Sequence, residues 1–208
     1  MLAGLTARSF PLTDCLPSLN LSLTQRRSER RGRDASLDDA LRVVTPLTTA
    51  TAEWVSADGY VERQTTVPSA GARHPLTTLV LSTSDSGQLC AAWAVSPSAA
   101  PRRYEVTGHR RQIRNVLRAT ADALQMPHAP SAVVVLLARF RRTLSKYPDG
   151  HSLVWRDSGV FLGTAHLVAT SLDLHSCVVG IAETTSFGLD GTPDTLVDVG
   201  ALALWRKE

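Results

Sequence analysis

Apolar residues recur along this chain in two rhythms that predict different elements. Helical spacing appears three times. Leu37, Leu41 and Val44 follow Ser36, and Asp39 three residues on completes a capping-box pattern, so a helix is predicted to start at Ser36 and to end at Pro46. From His109 to Met126, the residues Ile113, Val116, Leu117, Ala121 and Leu124 fall on one helical face, closed by Pro127 and Pro130. From Arg156 to Leu174, Val160, Leu162, Ala165, Leu167, Val168, Ala169 and Leu172 make the helix apolar nearly all round, as expected in a core or subunit interface. That last pattern favours a dimer.

Strand patterns fill much of the remainder. Thr78 to Ser82 and Leu89 to Val95, separated by the turn-prone Ser84-Asp85-Ser86-Gly87, predict a hairpin. Ser131 to Ala138 is β-branched and apolar on both faces, the signature of a central strand covered on both sides. Leu196 to Trp205 reads as a final strand followed by Arg206 and Lys207. Between these, residues 1–23 read as an irregular lead with Pro11 and Pro17, and Thr48, Thr49 and Thr51 ahead of Tyr60 as extended or looped. Pro68 to Pro75 encloses a turn-rich segment, and Ser96 to Gly108 reads as loop. The order of elements is mixed α+β.

Composition narrows the class. The 208 residues are 43% hydrophobic and 20% charged, ordinary for one globular domain able to bury its own core. Cys15, Cys90 and Cys177 are widely spaced, so neither a disulfide framework nor a structural zinc site is expected, and reduced thiols in a cytoplasmic setting are. The longest apolar run, Ala132 to Ala138, falls far short of the ~20 residues that span a bilayer, and no continuous apolar stretch precedes Pro11, so neither a membrane span nor a secretory signal is expected. The six histidines lack ligand spacing, which leaves no metal site, and no GxSxG elbow supports a hydrolase. His166, on the apolar helix, reads as a satisfied core or interface residue.

The net charge of +3 is local. Arg26, Arg27, Arg30, Arg31 and Arg33 against Glu29 give +4 within eight residues, and setting these aside from the 22 basic and 19 acidic residues leaves 17 and 18. No aromatic is interleaved with the arginines, so nucleic acid is not the expected partner. A tight arginine group suits a compact anion such as a phosphate monoester, because guanidinium offers bidentate donors to its oxygens; a solvated basic stretch accounts for the segment equally well on its own.

Four stretches then resemble the FMN-dependent nitroreductase family, and within it the SagB-type thiazoline/oxazoline dehydrogenases. They are Arg26-Arg27-Ser28-Glu29-Arg30, Pro68 to Leu76 (PSAGARHPL), Lys146-Tyr147, and Arg156-Asp157-Ser158-Gly159 opening the apolar helix that runs to Cys177-Val178-Val179-Gly180. The resemblance implies an α+β nitroreductase-like fold over residues 24–208, with a central, mostly antiparallel sheet flanked by helices, in a homodimer. It implies that Arg26, Ser28 and Arg30 hold the FMN phosphate, with Arg27 as a neighbour and Arg206 or Lys207 adding charge. Ser69, Ala70 and Gly71 would lie along the isoalloxazine ring, Val178, Val179 and Gly180 would border it, and Lys146 and Tyr147 would be catalytic. The implied activity is oxidation of azoline rings, or related bonds, in a modified peptide, with oxygen reoxidising the flavin and with association with a cyclodehydratase or synthetase complex.

Two other functions are compatible with the same residues: an NAD(P)H-dependent nitro or quinone reductase, and a non-catalytic subunit of a peptide-modifying synthetase. The sequence departs from the branch at three places. Gly32 stands near where an aromatic often follows the arginine motif, Thr77 replaces a common glutamate, and Lys146-Tyr147 continues as Pro148-Asp149. For Lys146 to act as a base, its ordinary pKa of about 10.4 must fall through desolvation or like charge. Arg139, Arg141 and Arg142 are the candidates in sequence to supply that charge.

Overall fold

The computed structural model describes residues 19–97, 100–188 and 195–208. The first eighteen residues of the expected irregular lead, Cys15 among them, lie outside the described residues. Those that follow form α1 (Leu19–Gln25), a helix where an irregular lead was expected. β1 (Arg33–Asp34) precedes α2 (Leu37–Thr48), whose N-terminus carries the complete capping box between Ser36 and Asp39. Pro46 lies inside α2 and does not end it. Proline lacks the N–H that would bond back to Arg42, but its fixed φ is helical, and the Thr48 and Thr49 hydroxyls donate to the Thr45 carbonyl at 3.1 and 2.9 Å to close the last turn.

The threonine-rich stretch is extended from Ala50: β2 (Ala50–Val55) pairs with β3 (Val61–Thr65) in a separate two-stranded hairpin. β4 (Leu76–Thr83) and β5 (Leu89–Val95) form the expected hairpin, and β6 (Arg102–Arg103) adds a short edge within the segment expected to be loop. α3 (Arg110–Leu124) buries the five apolar residues of its predicted face. β7 (Ala132–Ala138), α4 (Phe140–Leu144) and α5 (His151–Ser171) follow.

The helix α5 starts earlier and stops earlier than its apolar pattern indicates. The Gly150 N–H bonds to Tyr147 O at 2.8 Å, so the turn feeds directly into the helix. At the other end Asp173, with φ of 61°, reverses the chain. Leu174–Val179 is therefore a strand, β8, rather than the tail of the helix. Its partner is β10 (Thr195–Arg206), reached after β9 (Ser186–Gly188).

All strands of the main sheet pair antiparallel in the order β1-β10-β7-β4-β5-β6, with β8 and β9 also on β10. All seven residues of β7 are buried, and its alternation divides them between two cores. Val134 and Leu136 face the layer of α2 and α5 with Val43, Val44, Val154 and Phe161. Val133, Val135 and Leu137 face α3 with Ile113, Val116 and Leu117. Truncating Leu136, 0% exposed, to Ala would cost about 2–5 kcal/mol. Among the described residues, no helix is long and apolar enough to cross a membrane.

Candidate active site

The segment between Pro68 and Pro75 is a clamped, strained turn. Gly71, Ala72 and His74 have φ of 59°, 58° and 44°. Left-handed conformations at the two non-glycine residues cost about 1–3 kcal/mol each and persist only where the surroundings impose them. Here α5 does so through Asp157, which accepts from Ser69 Oγ at 2.6 Å and from Ala70 N at 3.2 Å. Ser69 Oγ accepts in turn from His74 N at 2.9 Å, and a ring N–H of His74 donates to Arg63 O at 2.7 Å. Burial holds the His74 pKa below its ordinary value. Ser69 and Ala70 thus fasten the turn, leaving Gly71 at its crest.

Lys146 and Tyr147 sit just past α4, with both backbone N–H groups bonded to Thr143 O, and they close over Gly71. A Cβ at Gly71 would lie 2.5 Å from Tyr147 Oη and 3.1 Å from Lys146 Nζ, so any side chain there must displace both, on a backbone whose φ already favours glycine. The two motifs, 75 positions apart, form one surface: Lys146 Nζ donates to Gly71 O at 3.2 Å.

Glu62, on β3, is the residue that sequence reasoning missed. Its Oε1 accepts from Lys146 Nζ at 2.8 Å and its Oε2 from Trp54 Nε1 at 2.8 Å. The hydrogen bond from Lys146 holds the Glu62 carboxyl below the usual carboxylate range, against the effect of burial and with help from Trp54. The fully buried Arg73 lies 3.6 Å from Glu62, pairs with Asp58, and stacks 4.8 Å from the Tyr60 ring centre. Bonds from Arg73 and Ser56 lower the Asp58 pKa to about 2.

The expected like-charge pressure on Lys146 is not arranged by Arg142. That guanidinium donates to Arg73 O and Val61 O, under the hairpin, while a carboxylate faces Lys146.

The arginine segment lies along β8. Ser28 bridges to Ser176 in parallel register and Glu29 N donates to Ser176 O at 3.1 Å. Arg26, Arg27, Ser28 and Arg30 are all exposed. Arg27 turns back to cap α1, donating to Thr24 O at 3.0 Å and Arg26 O at 2.9 Å. Arg26 Nη1 lies 3.1 Å from His166 Nε2. In the β8–β10 register Leu204 faces Ser176, so Arg206 ends its strand two residues beyond the point where Ser28 docks.

Arg206 is bound to the start of α2, with Nε 2.7 Å from Asp39 Oδ2. Burial works to raise the Asp39 pKa, but the hydrogen bonds from Arg206 and Ser36 outweigh it and hold the carboxyl low. Val178 is 41% exposed, Val179 points into the core under α3, and a Cβ on Gly180 would meet nothing within 4 Å.

A cleft of about 1030 Å³ lies between β5, β6 and α3, lined by neither the arginine segment nor the Gly71 turn with Lys146 and Tyr147. Beneath the Ser69 turn is only a void of about 20 Å³.

The model of the nitroreductase family, "Nitroreductase family", matches residues 23–190. Among solved structures, a putative nitroreductase from Ralstonia eutropha JMP134 is 14% identical, with 94% of this chain and 85% of that one covered at a TM-score of 0.59. A chain of the E. coli microcin synthetase McbBCD complex, solved with truncated pro-MccB17 bound, is 15% identical, with 99% and 79% covered at 0.60. A putative nitroreductase in complex with FMN from Desulfovibrio desulfuricans is 14% identical, with 92% and 87% covered at 0.50. No curated protein matches the sequence. With the family pattern running across most of the chain and the sheet, helices and connections of the nitroreductase fold in place, the protein belongs to the nitroreductase family.

Proposed function

We propose that this chain is an FMN-dependent dehydrogenase that oxidises azoline rings, or related bonds, in a modified peptide. The observation that carries the reading is the closure of Lys146 and Tyr147 over Gly71, which brings two groups able to exchange protons onto a backbone that has no side chain in the way. The residues present fit the cofactor. Arg26 and Arg30 offer exposed guanidinium groups beside the exposed Ser28, suited to a phosphate monoester, and Lys146 Nζ and Tyr147 Oη over the Gly71 crest offer polar contacts to the edge of a ring. Arg206 adds charge from the end of β10 while anchoring α2.

Oxidising an azoline removes a proton from one carbon and a hydride from its neighbour. The hydride is what bound FMN would take, with oxygen as the final acceptor. The proton passes to the neutral amine of Lys146, which Glu62 positions at 2.8 Å. Tyr147 Oη, over the same glycine, orients the reacting ring or relays its proton.

The peptide substrate and a synthetase partner draw support from the McbBCD likeness, a complex carrying pro-MccB17. Homodimerisation draws on the outer face of α5, where Trp155 and Val160 are 37% and 44% exposed and Gly159 and Gly163 leave room for a neighbour.

The test begins with the visible spectrum of purified protein and mass identification of any chromophore released on denaturation, with FMN at about one per chain expected. Incubation with an azoline-bearing peptide in air should then remove two hydrogens per ring. Lys146→Ala and Tyr147→Phe should keep FMN and lose most turnover. Colourless protein, or flavin reduced by NAD(P)H without any effect on the peptide, defeats the proposal.

A further inference from the structure

We infer that His166 is a positioning residue that aims the Arg26 guanidinium at its anion, and that Ser176 fixes the ring. The inference rests on the reading that Arg26 holds the FMN phosphate.

The ring is enclosed: His166 on α5 is 3% exposed and Ser176 on β8 is 1% exposed. Arg26 Nη1 is 3.1 Å from Nε2, and Ser176 Oγ is 2.5 Å from Nδ1. A guanidinium has donors only, so Nε2 accepts and the ring proton resides on Nδ1, from which it is donated to Ser176 Oγ. One neutral tautomer satisfies both contacts. An imidazolium would lose the acceptor facing Arg26 and put a buried positive charge beside it; burial, then the Arg26 charge, keep the His166 pKa below its ordinary value.

Ser176 ties the ring to the arginine segment itself. Its carbonyl accepts from Glu29 N at 3.1 Å and its backbone pairs with Ser28, so one residue registers both the backbone of the segment and the imidazole behind it. Arg26 N donates to Ser22 O at 3.0 Å, which fixes the base of the side chain. With its root and one Nη1 donor held, Arg26 keeps its remaining donors on the exposed side. A long side chain immobilised before the ligand arrives loses less rotamer entropy on binding.

Two conservative replacements separate positioning from packing. In glutamine the amide oxygen can take the place of Nε2, keeping the acceptor for Arg26. In asparagine the amide reaches only the place of Nδ1, keeping a partner for Ser176 but none for Arg26.

The experiment is flavin titration by fluorescence quenching of wild type, His166→Asn, His166→Gln and Arg26→Ala, with FMN and with riboflavin, which lacks the phosphate. The expected result is an FMN dissociation constant about tenfold weaker in His166→Asn and within about twofold of wild type in His166→Gln. Riboflavin binding should be equal in wild type and both His166 variants, which also verifies that the site is folded. In an Arg26→Ala background the Asn and Gln variants should bind FMN alike.

Equal FMN affinity in the Asn and Gln variants, or riboflavin affinity falling in step with FMN, overturns the positioning role while leaving the flavin reading intact. Wild type that binds neither flavin overturns both. Long-range ¹H–¹⁵N spectra of wild type should show the Nδ1–H tautomer for His166, and an Nε2–H tautomer refutes the geometry whatever the variants do.

Discussion

Lys146 Nζ lies 2.8 Å from Glu62 Oε1, joining the residue after α4 to the two-stranded hairpin outside the main sheet. The lysine side chain is 36% exposed and the glutamate 7%, so the pair straddles the boundary between the hairpin's inner face and the open surface. Trp54 Nε1 holds the second carboxylate oxygen, and that hydrogen bond fixes where the lysine can point. The β2–β3 hairpin therefore sets both the location and the charge environment of the amine proposed to take the substrate proton.

Replacing Glu62 with Gln keeps the volume and a hydrogen-bonding oxygen but removes the charge that holds Lys146 Nζ at 2.8 Å. If that pairing aims Lys146 at the reacting ring, turnover should fall about tenfold in Glu62→Gln with flavin content unchanged. Steady-state rates, with the flavin spectrum of the same sample, decide it: full turnover rules out Glu62 as the residue that positions Lys146.

Gly71→Ala attacks the same surface from below. The new methyl would sit 2.5 Å from Tyr147 Oη and 3.1 Å from Lys146 Nζ, on a backbone with φ of +59°. The conformational part costs about 1 kcal/mol, and the phenol must move to relieve the contact. Turnover should fall at least tenfold while the melting temperature drops by only about 2–4 °C. Steady-state rates and a thermal melt on the same sample provide the comparison; near-normal turnover would mean that Tyr147 need not rest on Gly71.

The elements most legible in the sequence are those whose pattern and surroundings agree. β7 reads as a central strand because seven consecutive apolar residues need cover on both faces, and α3 reads as a helix because one face only is apolar. The junction of α5 and β8 is obscured because Leu172 and Leu174 carry the apolar pattern across it, and the reversal depends on one residue, Asp173, entering the left-handed region. Gly71 and Lys146-Tyr147 were each visible as motifs, yet their contact is a product of the tertiary fold. Glu62 left no signal, since its role arises from a partner 84 positions away. His166 reads correctly as a satisfied buried residue; that one of its partners is Arg26 is set by the docking of the arginine segment on β8.

Acid should loosen the hairpin late. Asp58 has its pKa lowered to about 2 by bonds from Arg73, then Ser56, so its folded value lies below the unfolded value. Such a group contributes stability that is fully present above the unfolded pKa of about 3.9 and is lost as pH falls toward the folded one. Hairpin docking should therefore weaken between about pH 4 and pH 2. In Asp58→Asn, that acid-dependent step should shrink. Amide hydrogen exchange of β2 and β3 across this range reports it, and an unchanged acid response in the variant would show that the Arg73–Asp58 pair does not hold the hairpin.

We propose that a second copy seats on the outer face of α5 and helps to retain the flavin. Val160 is 44% exposed, and Gly159 and Gly163 place nothing between that stripe and a neighbour, so a close-packed second helix can seat there. Val160→Arg puts a charge beside the two glycines on an exposed part of α5. If the second copy helps to retain the flavin, the variant should be monomeric in light scattering and lose FMN on dilution, with its melting temperature in the flavin-free state unchanged. The coupling is what matters: a monomeric variant that keeps FMN as tightly as wild type shows that one chain suffices to hold it, and a variant that remains dimeric places the interface on another face.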